Sequence, residues 1–210
     1  MVLEQIAKAV IDGDEVATPK LVEEALAVGT PARDILKEGL LKGMTEVGRL
    51  FRDGEYFLPE VLIAAEAMAA GTTLLKPHLA KAGVRPKWTA VIGTVRGDLH
   101  DIGKNLVATM LEGAGFEVVD LGVDVSPEKF VEACRQNKAH VVAMSALLTT
   151  TMPVMEESIR QIKATLKPPP IVLVGGAPLT QEYADQIGAS GYGPDAMTGA
   201  ELAQRLTASR

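Results

Sequence analysis

Residues 96–103 of the chain read Arg96-Gly97-Asp98-Leu99-His100-Asp101-Ile102-Gly103. A β-like run over Thr89–Val95 precedes this segment, and a helix-like run over Lys104–Glu112 follows it. The segment is therefore a predicted strand-to-helix turn that carries a histidine, with an aspartate before it and a glycine after it. In parallel sheets such turns lie at the carboxyl ends of the strands, where ligands bind. A histidine there suits the ligation of a large group that enters from the open end of the sheet.

The inventory of metal-binding side chains narrows the kind of group. The histidines are His78, His100 and His140, and the single cysteine is Cys134. A bare zinc or iron site normally recruits several such ligands, whereas a metal inside a macrocycle needs only axial ones. We expect His78 near a helix end, His140 at the wrong end of its strand, and Cys134 as a core or half-buried residue of a helix. No nucleophilic catalytic set and no phosphate loop is predicted.

After Lys87 the pattern alternates between apolar strands and helices. The predicted strands are Thr89–Val95, Phe116–Leu121, Val141–Leu147, Ile171–Val174 and a short one near Ala189–Tyr192. The predicted helices are Ile102–Glu112, Pro127–Asn137, Pro153–Leu166, Gln181–Ile187 and Asp195–Leu206. Near-continuous apolar strands indicate a sheet covered on both faces. The alternation predicts a doubly wound, flavodoxin- or Rossmann-like parallel sheet.

Before Lys87 the apolar residues recur at helical spacing, which predicts four antiparallel helices in a bundle. Gly29 is a plausible stop for the second helix, Pro31 suits the first turn of the third, and Pro59 opens the fourth. The chain thus divides near Ala82–Lys87. We expect a helical bundle domain over residues 1–86 and an α/β domain over residues 87–210.

Composition bounds the class of protein. The formal net charge of −6 argues against a general nucleic-acid surface, and one cysteine fits a reducing compartment. No signal peptide is visible, and the longest apolar run, Val61–Leu75, is interrupted by Glu66 and Gly71. We read this run as too short to span a bilayer. The expected location is the cytoplasm, with neither nucleic acid nor membrane as a partner.

Small residues follow the other predicted strands. Gly122 follows the second strand, Ser145-Ala146-Leu147 with Thr149-Thr150-Thr151 closes the third, and Gly175-Gly176 follows the fourth. Together they leave room for a ligand to approach the backbone. Each taken alone is a weak signal, because a glycine after a strand is usually only a turn.

The ordered set Asp98-x-His100-x-x-Gly103, Ser145-x-Leu147 and Gly175-Gly176 resembles the signature of the cobalamin-binding domain. The text around His100 is similar to cobalamin-dependent methionine synthase and to the small corrinoid proteins of methyltransferase systems. The helical half resembles the same proteins through Gly43-Met44 and the stretch from Val47 to Pro59. The resemblance therefore covers nearly the whole chain.

The resemblance implies a role for each matching residue. His100 would be the lower axial ligand to cobalt in the base-off/His-on state, in which it replaces the cofactor's own benzimidazole base. Asp98 would hold His100, and Thr151 stands where methionine synthase has a serine that completes this relay. Phe51 and Leu58 would cover the upper face of the cofactor, although by their pattern alone they would be bundle core.

Further implied contacts line the cofactor and its nucleotide tail. Ser145 and Leu147 would line the tail channel, Gly175 and Gly176 would give the tail backbone clearance, and Ala196 would contact its far end. The remaining implied cofactor contacts are Gly97, Leu99, Asp101, Ile102, Gly103 and Thr149.

The function implied by the resemblance is that of a corrinoid methyl carrier, a subunit that is not catalytic alone. A substrate-specific methyltransferase would load methylcobalamin, a second methyltransferase would unload it to coenzyme M or tetrahydrofolate, and a reductive activase would be a further partner. The donor stays open among methanol, methylamines and methoxylated aromatics. The chain has no segment left for a barrel that would bind the donor or acceptor.

Three alternatives remain. A cobalamin-dependent sensor or regulator would need a basic DNA-binding head, but the predicted bundle starts at about residue 3. The small subunit of an adenosylcobalamin mutase would resemble the α/β half and lack the bundle. A flavodoxin-like protein for another ligand would leave the ordered motifs unexplained.

Overall fold

The structure is a computed structural model that describes residues 2–83 and 86–209. Contacts within the chain separate two units, Met1–Pro86 and Lys87–Arg210. The predicted linker Ala82–Lys87 includes residues 84 and 85, which lie outside the described residues.

The first unit is helical. It comprises α1 (Val2–Ile11), α2 (Ala17–Ala27), α3 (Ala32–Asp34), a π-helical segment (Ile35–Leu41), α4 (Lys42–Arg52) and α5 (Leu58–Lys81). The predicted third helix thus corresponds to α3, the π-helical segment and α4, which follow one another without a break. A Cβ atom on Gly43 would lie 2.7 Å from the carbonyl oxygen of Ala7, so glycine lets α1 approach α4 closely.

Side-chain carboxylates accept hydrogen bonds from the backbone at the starts of α2 and α5. Asp14 Oδ1 accepts from the backbone N–H groups of Val16 at 3.0 Å and Ala17 at 2.7 Å, at the start of α2. At the start of α5, Phe57 N donates to Glu60 Oε2 at 2.9 Å. These bonds satisfy N–H groups that a helix leaves without a partner in its first turn.

Helix α5 extends past the predicted apolar run at both ends. Length and composition alone would therefore let it cross a membrane. It packs against α2 and α4, and Val61, Ala64, Met68 and Leu75 are buried. The buried face of α5 therefore belongs to the core of the helical unit.

The second unit is a five-stranded, all-parallel sheet, which confirms the predicted fold class. Its strands are β1 (Trp88–Thr94), β2 (Phe116–Asp120), β3 (Val141–Ser145), β4 (Ile171–Gly175) and β5 (Gly191–Gly193), in the order β2-β1-β3-β4-β5. The helices are α6 (Ile102–Gly113), α7 (Pro127–Gln136), α8 (Met152–Thr165), α9 (Gln181–Gln186) and α10 (Ala196–Ala208). The chain changes direction across the sheet between β1 and β3, and crevices at such points bind ligands.

The strand register places the predicted motifs at one edge. Thr94 pairs with Ser145, Ser145 pairs with Gly175, and Gly175 pairs with Gly193. The last residues of four strands therefore form one row. Strand β3 ends at Ser145 and not at the predicted Leu147, because Leu147 N donates to a side chain in the turn after β1.

The core of this unit is aliphatic. Val91, Val142 and Val172 are fully buried, as expected for central strands covered by helices, and Phe130 of α7 packs in the same core. Cys134 is 2% exposed and belongs to the same core.

Candidate functional site

His100 lies in the turn between β1 and α6 and is held by Asp98. His100 Nδ1 is 2.7 Å from Asp98 Oδ1, and the same oxygen accepts from the His100 backbone N–H at 3.2 Å. The Asp98 side chain is fully buried, whereas that of His100 is 52% exposed. An ionised carboxylate can only accept, so Nδ1 carries a proton, and in the neutral imidazole Nε2 holds the lone pair.

The other oxygen of Asp98 is occupied by the turn after β3. Asp98 Oδ2 accepts from Leu147 N at 2.7 Å and from Leu148 N at 3.2 Å, and Thr151 Oγ1 lies 3.0 Å away. Burial raises the pKa of the Asp98 carboxyl, but hydrogen bonds from His100, Leu147 and Thr151 outweigh it and hold that pKa well below its usual range. Asp98 is therefore an anion that joins the turns after β1 and β3.

Thr151 is placed where its hydroxyl reaches Asp98, as the resemblance implies. Its Oγ1 is also 2.8 Å from the carbonyl oxygen of Leu148. A hydroxyl has one proton to donate, so these two acceptors compete for it. The hydrogen bond from Thr151 therefore stabilises the Asp98 carboxylate less than a donor that bonds Asp98 alone would.

An apolar rim of exposed side chains lies on the two turns that carry His100 and bind Asp98. Leu99 and Ile102, on either side of His100 in the chain, are 72% and 69% exposed, and Leu147 and Leu148 are each 42% exposed. Large apolar side chains in this number at one edge of a sheet indicate a surface that a ligand covers. Leu148 was not among the predicted contacts, because its closeness to Asp98 depends on the path of the turn after β3.

Gly176 marks the closest backbone approach at this edge. Its φ is +131°, and a Cβ atom there would lie 1.9 Å from the carbonyl oxygen of Ala146. The structure therefore adds a reason for glycine beside the predicted clearance for a ligand: the turns after β3 and β4 touch. A Cβ on Gly175 would lie 3.0 Å from the carbonyl oxygen of Gly193.

The other predicted residues of this unit lie around the same edge. Ser145 is half-buried at the end of β3, and Thr149 is exposed in the turn that follows it. Gly103 has open space where a side chain would be, and Asp101 is exposed one residue after His100. Ala196 begins α10 and is 7% exposed, so it offers little surface to a ligand.

Phe51 and Leu58 belong to the helical unit. Phe51 lies near the end of α4 and Leu58 begins α5, and both are half-buried. Phe57 beside them is 66% exposed and was not among the predicted residues. The sequence does not show that Phe57 is exposed, because its exposure depends on how the surrounding residues pack.

Two further polar residues, Thr94 and Lys104, were missed by sequence reasoning. Thr94 Oγ1 donates to the carbonyl oxygen of His100 at 2.8 Å. Lys104, 2% exposed, donates through Nζ to Asp120 Oδ2 and to Asn105 Oδ1. The lysine inside the apolar pattern of α6 was a visible signal, since a buried ammonium requires a partner, but the sequence did not show which acid it meets.

The donor set fits a macrocyclic metal. One imidazole, with its Nε2 lone pair directed away from Asp98 and without a hydrogen-bond partner among the described residues, supplies a single axial ligand. The apolar rim supplies a surface for a wide, flat group. A carboxylate on the remote nitrogen of a ligating histidine fixes its tautomer and raises its basicity.

Comparison with known proteins agrees with this geometry. Two family models described as B12 binding domains match the chain, one over residues 88–201 and the other over residues 2–76. The first spans more than half of the chain and includes every predicted site residue of the α/β unit.

Relatives match over nearly their whole length. A corrinoid protein of Desulfitobacterium hafniense (strain Y51) is 41% identical over 208 residues, covering 97% of this chain and 96% of the relative. Trimethylamine corrinoid protein 1 of Methanosarcina acetivorans is 46% identical over 199 residues, covering 92% of each.

Solved structures agree as well. A chain of the methanol:cobalamin methyltransferase complex MtaBC from Methanosarcina barkeri superposes with a TM-score of 0.89 at 32% identity, covering all of this chain and 80% of that one. A cobalamin-binding protein of Desulfitobacterium hafniense DCB-2 matches with a TM-score of 0.80 at 34% identity, over 97% of each chain. The protein described here thus belongs to the B12-binding domain family, and its cofactor is a corrinoid.

Proposed function

We propose that the chain is a corrinoid methyl carrier that binds cobalamin in the base-off/His-on state, with His100 as the lower axial ligand. The observation that carries the proposal is the 2.7 Å contact between His100 Nδ1 and buried Asp98, which leaves Nε2 as the ligating atom. Corrinoid-protein relatives named for trimethylamine and dimethylamine, at 46% and 42% identity, support the same reading.

The residues divide the work between orientation and protection. When bound, the corrinoid supplies the cobalt that carries the methyl group. Asp98 stays ionised, holds the Nδ1 proton and keeps the imidazole in one tautomer. Leu99, Ile102 and Leu147 would present exposed apolar surface against which the corrinoid packs, and this packing would exclude water from the ligating nitrogen.

The tail and the upper face complete the proposed site. The nucleotide tail would enter between the ends of β3 and β4, along Ser145, Gly175 and Gly176, with Thr149 and Ala196 farther along. The helical unit, residues 1–86, would cover the methyl group through Phe51 and Leu58. Movement of this unit away from the α/β domain, residues 87–210, would open the cofactor for transfer.

The proposed partners are methyltransferases. The structural relative comes from a methanol:cobalamin methyltransferase complex, and the named relatives belong to methylamine chemistry. A substrate-specific methyltransferase would therefore load the carrier from a small methylated compound. A second methyltransferase, acting on coenzyme M or tetrahydrofolate, and a reductive activase would complete the system. Free, buried Cys134 fits a cytoplasmic location.

A visible spectrum tests the proposal most directly. Purified protein is saturated with methylcobalamin and compared with the His100→Ala variant, and His78→Ala serves as a control because His78 is an exposed histidine of the other unit. We expect the wild type and His78→Ala to show histidine in place of benzimidazole, and His100→Ala to show the base-off spectrum.

These spectra, together with the cofactor extracted from protein purified from cells without added cobalamin, discriminate the alternatives. Identical spectra for the wild type and His100→Ala would remove His100 as the ligand and overturn the proposal. Corrinoid extracted from cells with an adenosyl upper ligand would instead favour the sensor or the mutase subunit. Extraction of flavin would favour a flavodoxin-like binding protein.

A further inference from the structure

Thr94 is a buried polar residue at the end of the central strand β1. Its side chain is fully buried, and it pairs across the sheet with Ser145, the last residue of β3. A β-branched residue suits a strand, but valine would pack equally well without a hydroxyl. A buried hydroxyl requires a hydrogen-bond partner, so the question is what this one bonds.

The Thr94 hydroxyl donates its proton to the site turn. Thr94 Oγ1 is 2.8 Å from the carbonyl oxygen of His100. The backbone of Thr94 is fixed on the other side, because its N–H donates to Gly122 O at 3.0 Å and its carbonyl accepts from Val125 N at 2.9 Å. Thr94 is thus bound to the turn after β2 through its backbone and to His100 through its side chain.

This bond anchors a part of the turn that has no other bond to a strand. Arg96 and Gly97 are held by Val125 and by Asp124 Oδ1. Asp98 is held by the turn after β3 through Leu147 N. Among the described residues, the hydrogen bond from Thr94 to His100 is the only one that joins residues 99–101 to a strand.

Two points of attachment orient the imidazole better than one. The His100 N–H and Nδ1 both meet Asp98 Oδ1, so those two contacts allow the histidine to pivot about a single oxygen. A third contact, at the carbonyl of the same residue and from a different strand, removes that freedom. We propose that Thr94 is a positioning residue that fixes the backbone of His100 and thereby holds its Nε2 where cobalt is ligated.

The test depends on the proposed role of His100, so it includes the His100→Ala variant. Thr94→Val removes the hydroxyl at nearly constant volume, Thr94→Ser keeps it, and Thr89→Val makes the same substitution near the opposite end of β1. Each full-length variant is titrated with methylcobalamin. The dissociation constant and the visible spectrum at saturation are recorded, together with thermal unfolding of the cofactor-free protein.

We expect Thr94→Val to weaken cofactor binding about tenfold, the lower end of the range for residues that orient a metal ligand. Its spectrum at saturation should shift toward that of His100→Ala. Thr94→Ser and Thr89→Val should match the wild type. The saturated spectrum separates positioning from folding, because a merely structural role would change unfolding without changing the ligand on cobalt.

Three outcomes would overturn the inference. A Thr94→Val variant with the spectrum and affinity of the wild type would show that the hydroxyl is dispensable. An equal loss in Thr94→Ser would assign the effect to packing. A wild type with the spectrum of His100→Ala would remove the proposed ligand itself, and the role of Thr94 with it. If Thr94→Val does not fold, Thr94→Ala is judged by the same outcomes.

Discussion

The turns that follow β1 and β4 lie at the same edge of the sheet and are built in opposite ways. The turn after β1 is defined by polar atoms, because Asp98 uses both oxygens and Thr94 its hydroxyl to hold it. The turn after β4 is defined by a missing side chain, since Gly176 leaves no room for a Cβ atom. In the turn after β1, substitutions that change side-chain volume should be tolerated better than substitutions that remove a hydrogen bond. In the turn after β4, neither an added side-chain atom nor a changed φ should be tolerated.

The largest expected effect is that of Gly176→Ala. The new Cβ would meet the carbonyl of Ala146 at a φ that alanine rarely adopts, so we expect a loss of about 3 kcal/mol or more in the free energy of unfolding. Gly122→Ala is the matched control, because Gly122 also has positive φ but open space around its Cβ position. It should lose only about 1 kcal/mol. Urea unfolding of the cofactor-free protein measures both, and equal losses would contradict the steric account.

Next in size is the effect of Asp98→Asn on ligation. Asparagine keeps the volume but loses the charge, and its amide can present a donor to Nδ1, which disfavours the tautomer with a lone pair on Nε2. We expect methylcobalamin binding to weaken by about 10- to 100-fold with a shift toward the base-off spectrum. Asp185→Asn, at an exposed aspartate on α9 of the same unit, is the control. Unchanged binding in Asp98→Asn would mean that the carboxylate only shapes the turn.

Low pH should remove part of the stabilisation that ionised Asp98 gives to the folded protein. Its pKa is lowered in the folded state, so its stabilisation is complete above the unfolded-state pKa near 3.8 and is lost as pH falls toward the folded-state value. The difference in unfolding free energy between the wild type and Asp98→Asn should therefore narrow by about 1 kcal/mol between about pH 5 and about pH 3. Urea titrations of the cofactor-free proteins at both pH values measure it. A constant difference would show that Asp98 has an ordinary pKa in the folded protein.

The smallest expected effect is that of Thr151→Val. Because Leu148 O competes for the Thr151 proton, we expect at most about 1 kcal/mol of lost stability and a few-fold weaker cofactor binding. Thr151→Ser keeps the hydroxyl and should restore both quantities. A loss as large as that of Asp98→Asn would show that the Thr151 proton is committed to Asp98.

The order of strands and helices could be predicted from the sequence, but the residues at which they end were predicted less well. Apolar runs of the length of a strand, separated by helical periods, predicted the parallel sheet. The predicted end of β3 at Leu147 was wrong by two residues, because the apolar run continues past Ser145 while the hydrogen bonds of Leu147 turn away from the sheet. An apolar side chain does not reveal where its own backbone N–H goes.

The site could be predicted where its residues are close in the chain. Asp98 and His100 are two positions apart, and their contact follows from the turn itself. The backbone partners of Asp98 Oδ2, Leu147 and Leu148, are about fifty positions away, and the burial of Lys104 with Asp120 joins a helix to an edge strand. Neither pairing leaves a periodic signal.

Local patterns were therefore enough for the class of fold, the order of strands and helices along the chain, and the turn that carries His100, since each depends on spacing within a few residues. The register that aligns Thr94, Ser145 and Gly175, the backbone bonds from Leu147 and Leu148 to Asp98, and the contact that forbids a side chain at Gly176 were decided only by the folded chain. Each of these requires two strands, or the turns after them, to meet in space, and the physical preferences of one segment do not specify where another segment will lie.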